Sequence, residues 1–277
     1  MPPQNSDGPH PNEGVALTRC PVIIRTMLGK NKAKNTVTRR KSSTSGSQPT
    51  IFDVPSYKAA EAAHLLKLSN STVRAWCFGQ NYVDRTGARN SFLPVIKPAD
   101  RQDRLLSFSN LCELHVLGAI TRNYRIPLQR VRPALEYVRK ELAEPRPLLA
   151  ENFRTNGLDL FLENAEQLVS VTQGGQTALR GEFEQALDRI ERGSSGNPVR
   201  LFPFSRTAGT ASTQPTVIVI DPTIAFGRPF IATASVRTEV IHDRFGAGDS
   251  PSEMANDYGV SQEEILEAIR YEQHLAA

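Results

Sequence analysis

Asn70, Ser71, Thr72 and Arg74 stand close together in the stretch YKAAEAAHLLKLSNSTVRAWCFG (57–79), and together they carry the chemistry that reads double-stranded DNA. A guanidinium can bridge two acceptors on a guanine edge, a carboxamide matches the donor–acceptor pair of adenine, and hydroxyls serve phosphates. Other chemistries require constellations that this chain does not offer. His10, His64, His115, His242 and His274 are scattered, and Cys20, Cys77 and Cys112 are odd in number and lack CxxC spacing. Neither a disulfide framework nor a metal site is indicated. Gly174-Gly175 precedes a helical pattern without a Walker lysine, and the glycines of FGAGDS follow a helix rather than a strand, so neither reads as a nucleotide loop. The chain is read as a non-enzyme with no catalytic residue, no metal and no cofactor.

For those polar residues to face a groove, a helix must bury its other side. Val73 and Trp76, three residues apart, turn inward, and Ser69 stands where its hydroxyl can cap the helix. Ahead of it, Ala59, Ala60 and Ala63 let a first helix approach closely, while Leu65, Leu66 and Leu68 fill the crook. A helix-turn-helix over 57–79 is predicted, although an alanine-rich helix before a serine-capped one also occurs in all-α domains that bind no DNA. Lys67 is discordant, because a turn of this kind usually carries a glycine and a left-handed lysine costs roughly 1 kcal/mol.

After this unit the polar stretch Gln80 to Ser91 reads as a loop. Phe92 to Ile96 and Leu105 to Phe108 read as strands joined across KPADRQDR. Such a hairpin would be a wing that lays Arg89, Lys97, Arg101 and Arg104 along a phosphate backbone. Ser109 is expected to cap a helix over Asn110 to Thr121. Pro127 is expected to open another to about Ala143, with Leu128, Val131, Leu135, Val138 and Leu142 in a heptad seam that packs on the winged domain or serves a dimer.

The fold class expected is α+β. Residues 51–144 form an N-terminal winged helix-turn-helix, 145–206 a small central β-meander with a helix, and 217–277 a small three-helix domain. The meander is read from Leu148 to Phe153, Gly157 to Glu163 and Leu168 to Thr172, followed by a helix over Gln176 to Arg192. In the last part, helices are expected over Thr238 to Phe245, Ser250 to Tyr258 and Ser261 to Gln273. Ser261 and Glu264 would form a capping box there. The outer face of the final helix would carry Gln262, Glu263, Glu267 and Glu272, which phosphate would repel.

Within 277 residues the net charge runs from +6 over 1–50 and +3 over 51–110 to 0 over 111–200 and −5 over 201–277. A basic front suited to phosphate and an acidic back suited to another partner follow. Residues 1–50, with Arg39, Arg40 and Lys41, read as a disordered basic tail. No apolar run is long enough to span a membrane and no secretory signal opens the chain, so the cytoplasm is expected.

The pattern AAxLLxLSxSTVRxW is similar to the head of the MerR-like winged helix-turn-helix family. The end of the chain resembles the small C-terminal domain of VapB-type antitoxins. The matching residues are Asp221-Pro222, the G-R-P of Gly227 to Pro229, Val240-Ile241, Gly248 to Ser250, Met254-Ala255, Asp257-Tyr258 and EEILEAIRYE (263–272); the chain departs from it at Ile231 to Ala234. The resemblance implies an antitoxin that binds operator DNA, is dimeric on a two-fold site, represses its own operon and silences a PIN-like ribonuclease toxin. The partner surface is expected at Ile224, Phe226, Pro229, Phe230 and Ile231, because a domain this small has little core of its own. Asp243, Asp249, Glu253 and Asp257 would steer a cationic partner to it. The alternative is a stand-alone MerR-like regulator whose C-terminal region senses a ligand.

Overall fold

The computed structural model describes residues 50–83, 86–124, 128–154, 156–166, 173–206 and 214–273. The basic tail, the expected strand over Leu168 to Thr172 and the expected helix start at Pro127 lie outside them, apart from Thr50. A 3-10 turn at Ile51–Asp53 leads into β1 (Tyr57–Lys58), α1 (Ala59–Leu66) and α2 (Asn70–Phe78). The expected helix-turn-helix is present, with Ala62, Ala63, Leu65, Leu66, Val73, Trp76 and Cys77 buried between its helices and the elements beneath.

The wing differs from its sequence reading. The polar stretch thought to be a loop is the hairpin: β2 (Gln80–Val83) pairs antiparallel with β3 (Arg89–Phe92). The expected strand over Phe92 to Ile96 stops at Phe92, the last residue of β3, because Pro94 lacks an N–H donor and the N–H groups of Val95 and Ile96 both donate to the Trp76 carbonyl, at 2.8 and 3.0 Å. β4 (Leu105–Leu106) pairs instead with β1, which closes the head across Tyr57 and Leu106.

Ser107, rather than Ser109, caps α3 (Phe108–Tyr124), its hydroxyl accepting from the Asn110 N–H at 3.3 Å. Ser109 donates to the Phe52 carbonyl. In α4 (Leu128–Glu141), Val131, Leu135 and Val138 are buried. They do not await a second chain, because α4 packs along a helix of its own chain, α5 (Gly157–Glu166). The expected β-meander is corrected by that helix. Leu158, Phe161 and Leu162 recur at helical spacing and are buried on one face, while Leu148 and Phe153 lie in 3-10 turns. α6 (Gln173–Asp188) contains Gly174 and Gly175 within the helix, and packs on α3. The apolar residues of α3, α4, α5 and α6 belong to the same core as those of the head.

A hairpin of β5 (Ile190–Arg192) and β6 (Pro198–Leu201) follows, and Leu201 bridges to Ile220. β7 (Ile218–Val219) pairs with β8 (Phe230–Ile231). Three helices end the chain: α7 (Thr238–Gly246), α8 (Pro251–Tyr258) and α9 (Gln262–Gln273). Ser250 with Glu253 and Ser261 with Glu264 each exchange side-chain and backbone hydrogen bonds as capping boxes. Ile218, Ile231, Ile241, Met254, Ile265, Ile269 and Tyr271 form a second core. Contacts join both cores into one unit.

Of the acidic residues expected on the outside of α9, Glu267 is buried and Glu272 is half-buried. Glu267 is 1% exposed and takes Arg206 at 2.7 Å, Arg270 at 3.1 Å and the Ser205 hydroxyl. Glu272 takes His64 and Thr238. Each is offset by donors that lie far away in sequence, joined for Glu267 by Arg270 one helical turn ahead.

Candidate nucleic-acid interface

The Ser69 hydroxyl accepts from the Thr72 N–H at 3.1 Å, fixing the start of α2. Asn70, Ser71 and Arg74 are exposed on the side opposite Val73 and Trp76. Thr72 is only half-exposed and its hydroxyl lies 2.7 Å from that of Ser69, so it supports the cap before it can meet DNA. At the other end Gly79 has φ 79°, and a Cβ there would stand 2.6 Å from the Phe92 carbonyl oxygen. Only glycine lets α2 pass directly into β2 at this spacing. The result is a hollow of about 380 Å³ between helix and ribbon, walled by Asn70, Ser71, Arg74, Ala75, Gly79 and Gln80. Gln80 is not among the residues the sequence singles out; a carboxamide directly after a helix-ending glycine is the signal that marks it.

The four cations expected on the wing are all exposed, on three different segments. Arg89 opens β3 on the ribbon itself. Arg101 and Arg104 lie on the turn between Asp100 and Leu105, and the Arg104 guanidinium sits 5.7 Å from the Phe78 ring at the end of α2. Lys97 precedes that turn, on a segment pinned by Asn110, whose carboxamide donates to the Lys97 carbonyl and accepts from the Ala99 N–H.

What fixes the head from behind is the last helix. Lys67 closes α1 in the left-handed region, φ 55°, with its own N–H on His64 and the Leu68 N–H on Ala63. Its ammonium lies 3.8 Å from the centre of the Tyr271 ring and donates to the Tyr271 carbonyl. The Tyr271 hydroxyl donates to the Leu65 carbonyl at 2.7 Å, and Glu272 stands 3.0 Å from His64 Nε2. The C-terminal ends of α1 and α9, each carrying partial negative charge, therefore meet here with a cation between them. Burial pushes the Lys67 ammonium down to about 8 against the pull of Glu272, which leaves it protonated at neutral pH. Alongside, the Tyr57 hydroxyl donates to the Gly227 carbonyl at 3.1 Å and Arg228 pairs with Glu61.

Of the expected partner surface, the structure retains part. Pro229, Phe230 and Ile231 are corrected: they are buried within the chain, Phe230 at 2% and Ile231 at 0% exposure, because β8 pairs with β7 over the second core. Ile224 is half-buried. Phe226 is 97% exposed, on a turn in which Ala225, Phe226 and Gly227 all have positive φ. Asp243 is exposed. Asp249 and Asp257 share Arg244 at 2.5 and 2.7 Å, and hydrogen bonds from Ser250 hold the Glu253 carboxyl below the usual carboxylate range. Among the described residues no group of His, Cys, Asp and Glu gathers as for a metal ion, and no helix is long and apolar enough to cross a membrane.

Residues 55–135 match a family described as "Putative DNA-binding HTH domain", and residues 218–271 match "Protein of unknown function (DUF433)". Two relatives come from Mycobacterium tuberculosis (strain ATCC 25618 / H37Rv). One, named "Putative antitoxin VapB45", is 26% identical, the match covering 79% of this chain and 94% of its own. The other, "Uncharacterized protein Rv2308", is 24% identical over 80% and 92%. The crystal structure of Rv2018 from Mycobacterium tuberculosis superposes with a TM-score of 0.55 at 23% identity, covering 79% of this chain and 99% of that one. This chain shares that fold, and its front carries a helix-turn-helix domain similar to a DNA-binding family.

Proposed function

We propose that this chain is a DNA-binding antitoxin that represses its own operon as a dimer and silences a PIN-like ribonuclease through its C-terminal domain. The observation that carries the DNA half is the hollow where Asn70, Ser71, Arg74 and Gln80 converge beside the ribbon bearing Arg89. Those groups have the donors and acceptors for base edges, with Lys97, Arg101 and Arg104 available for phosphates. For the second half, the similarity to a protein named as an antitoxin supports the reading. So does Phe226, an aromatic side chain held fully in solvent on a strained turn of the acidic end. The test is to place the purified chain on the DNA upstream of its own gene and to co-express it with the product of the neighbouring gene. Protection of a two-fold site and co-purification of an RNA-cleaving partner whose activity falls on binding are expected. Binding that ignores DNA sequence, or a chain that retains no partner, would sink the corresponding half.

A further inference from the structure

The head does not stand by itself. In a helix-turn-helix the angle between the two helices decides whether the outer face of the second can seat in a groove, and here the turn that sets this angle is gripped by the last helix. We infer that Lys67, Tyr271 and Glu272 are positioning residues for DNA reading, so that the affinity of the head for DNA depends on α9 although α9 presents no reading face. The inference rests on the DNA-binding reading above.

Three independent contacts support it. The Tyr271 hydroxyl satisfies the Leu65 carbonyl in the last turn of α1, which would otherwise be an orphan in a dry place. Lys67 binds the Tyr271 ring and carbonyl while its backbone makes the turn. Glu272 holds His64, on the turn of α1 before Lys67, and is itself held by Thr238 of α7. A glycine at 67 would relieve the left-handed strain. It would also remove the cation between two helix ends of like polarity, which is the physical reason for a lysine here. The coupling is reciprocal: if α9 favours the reading geometry of the head, DNA bound to the head must stabilise α9.

The experiment compares the full chain with Lys67→Gly and Tyr271→Phe on the DNA upstream of its gene and on unrelated DNA. Affinity is measured against salt, and backbone hydrogen exchange of residues 262–273 with and without DNA. Lys67→Gly is expected to stay folded and to lose about five- to twenty-fold in affinity for the specific site, the range of a modest coupling between sites. Its salt slope should not change, because a lost phosphate contact would lower that slope by about one. DNA should slow exchange in α9 of the parent and leave it unchanged in the glycine variant. Tyr271→Phe, which removes one hydroxyl, should move in the same direction by less. Variants that bind like the parent, a salt slope that falls with Lys67, or α9 exchange indifferent to DNA in the parent would each overturn the positioning role while leaving the DNA reading intact. Absence of site-specific binding by the unaltered chain would overturn both.

Discussion

Tyr271 donates its phenolic hydrogen to the carbonyl of Leu65 at 2.7 Å, across 206 positions of sequence. The helix that ends the described chain thus completes the helix that opens the head, so front and back halves are not autonomous pieces. Tyr271 is fully buried in the second core, and Tyr271→Ala would open a cavity, leave the Leu65 carbonyl unpaired and release Lys67. A loss of about 3–5 kcal/mol is expected from urea unfolding monitored by Trp76 fluorescence. A loss below about 1 kcal/mol would mean that the α9–α1 contact contributes little to the fold.

On the proposed reading face, Arg74→Ala should cost roughly 1–3 kcal/mol on the specific site and little on unrelated DNA. Gln80→Ala should also relax discrimination, at a different base position, because it lines the same hollow from the ribbon side. Binding to a panel of single-base operator variants checks both. Equal losses on every sequence would make these residues phosphate contacts instead.

Gly79→Ala is a separate test of the wing. The new methyl would sit 2.6 Å from the Phe92 oxygen on a backbone at φ 79°, so the helix-to-ribbon junction must shift. The expected cost is on the order of 1–3 kcal/mol, with faster hydrogen exchange across β2 and β3 and weaker DNA binding. Unchanged exchange in the ribbon would show that the junction is not the constraint described.

Local features were legible in the sequence. The Ser69 cap, the Ser261–Glu264 box and the inward Val73 and Trp76 each depend on residues a turn apart. The hairpin is not legible because β2 and β3 have no alternating apolar pattern, while Val95 and Ile96 in the apolar stretch that follows bind the Trp76 carbonyl rather than a strand. The composition of LDLFLEN suits a strand, yet Leu158, Phe161 and Leu162 follow a helical period. Glu267 and Glu272 looked like solvated acids because Arg206 and His64, which neutralise their burial, lie far from them in sequence. Lys67 was visible as an anomaly, and only α9 explains it.

Glu113 gives a pH prediction. It is buried in α3, with Asn110 donating at 3.0 Å and the Arg146 guanidinium at an ion-pair distance of 3.7 Å, and burial pushes its carboxyl up from 4.5 to about 7. Between these values the unfolded chain has released the proton and the folded chain still holds it. Its contribution to stability is therefore complete below about pH 4.5, declines as pH rises and is lost above 7. The loss is on the order of 3–4 kcal/mol. Glu113→Gln, which can still accept from Asn110, should flatten stability over this window and be more stable than the parent above pH 7. Parallel urea-denaturation profiles from pH 5 to about 8 would contradict the assignment.

Phe226 separates folding from partner binding. At 97% exposure its ring contributes almost nothing to either core, and its φ of 55° costs the chain free energy, so the folded protein by itself gains little from a phenylalanine there. Asparagine tolerates the left-handed region far better than other side chains and has no apolar ring. Phe226→Asn should therefore leave the thermal midpoint unchanged or slightly raised and leave DNA affinity as it was. An aromatic anchor seated in a partner's socket is commonly worth 2 kcal/mol or more, about thirty-fold in affinity. The variant should accordingly lose the product of the neighbouring gene in co-purification, or hold it with a dissociation constant raised by about that factor. Asp243→Asn, exposed on α7, should slow association at low salt and have little effect at high salt, since its contribution would be long-range attraction. If Phe226→Asn retains the partner at parental affinity, the docking surface lies elsewhere on the chain, and the exposed ring is left without a role in antitoxin function.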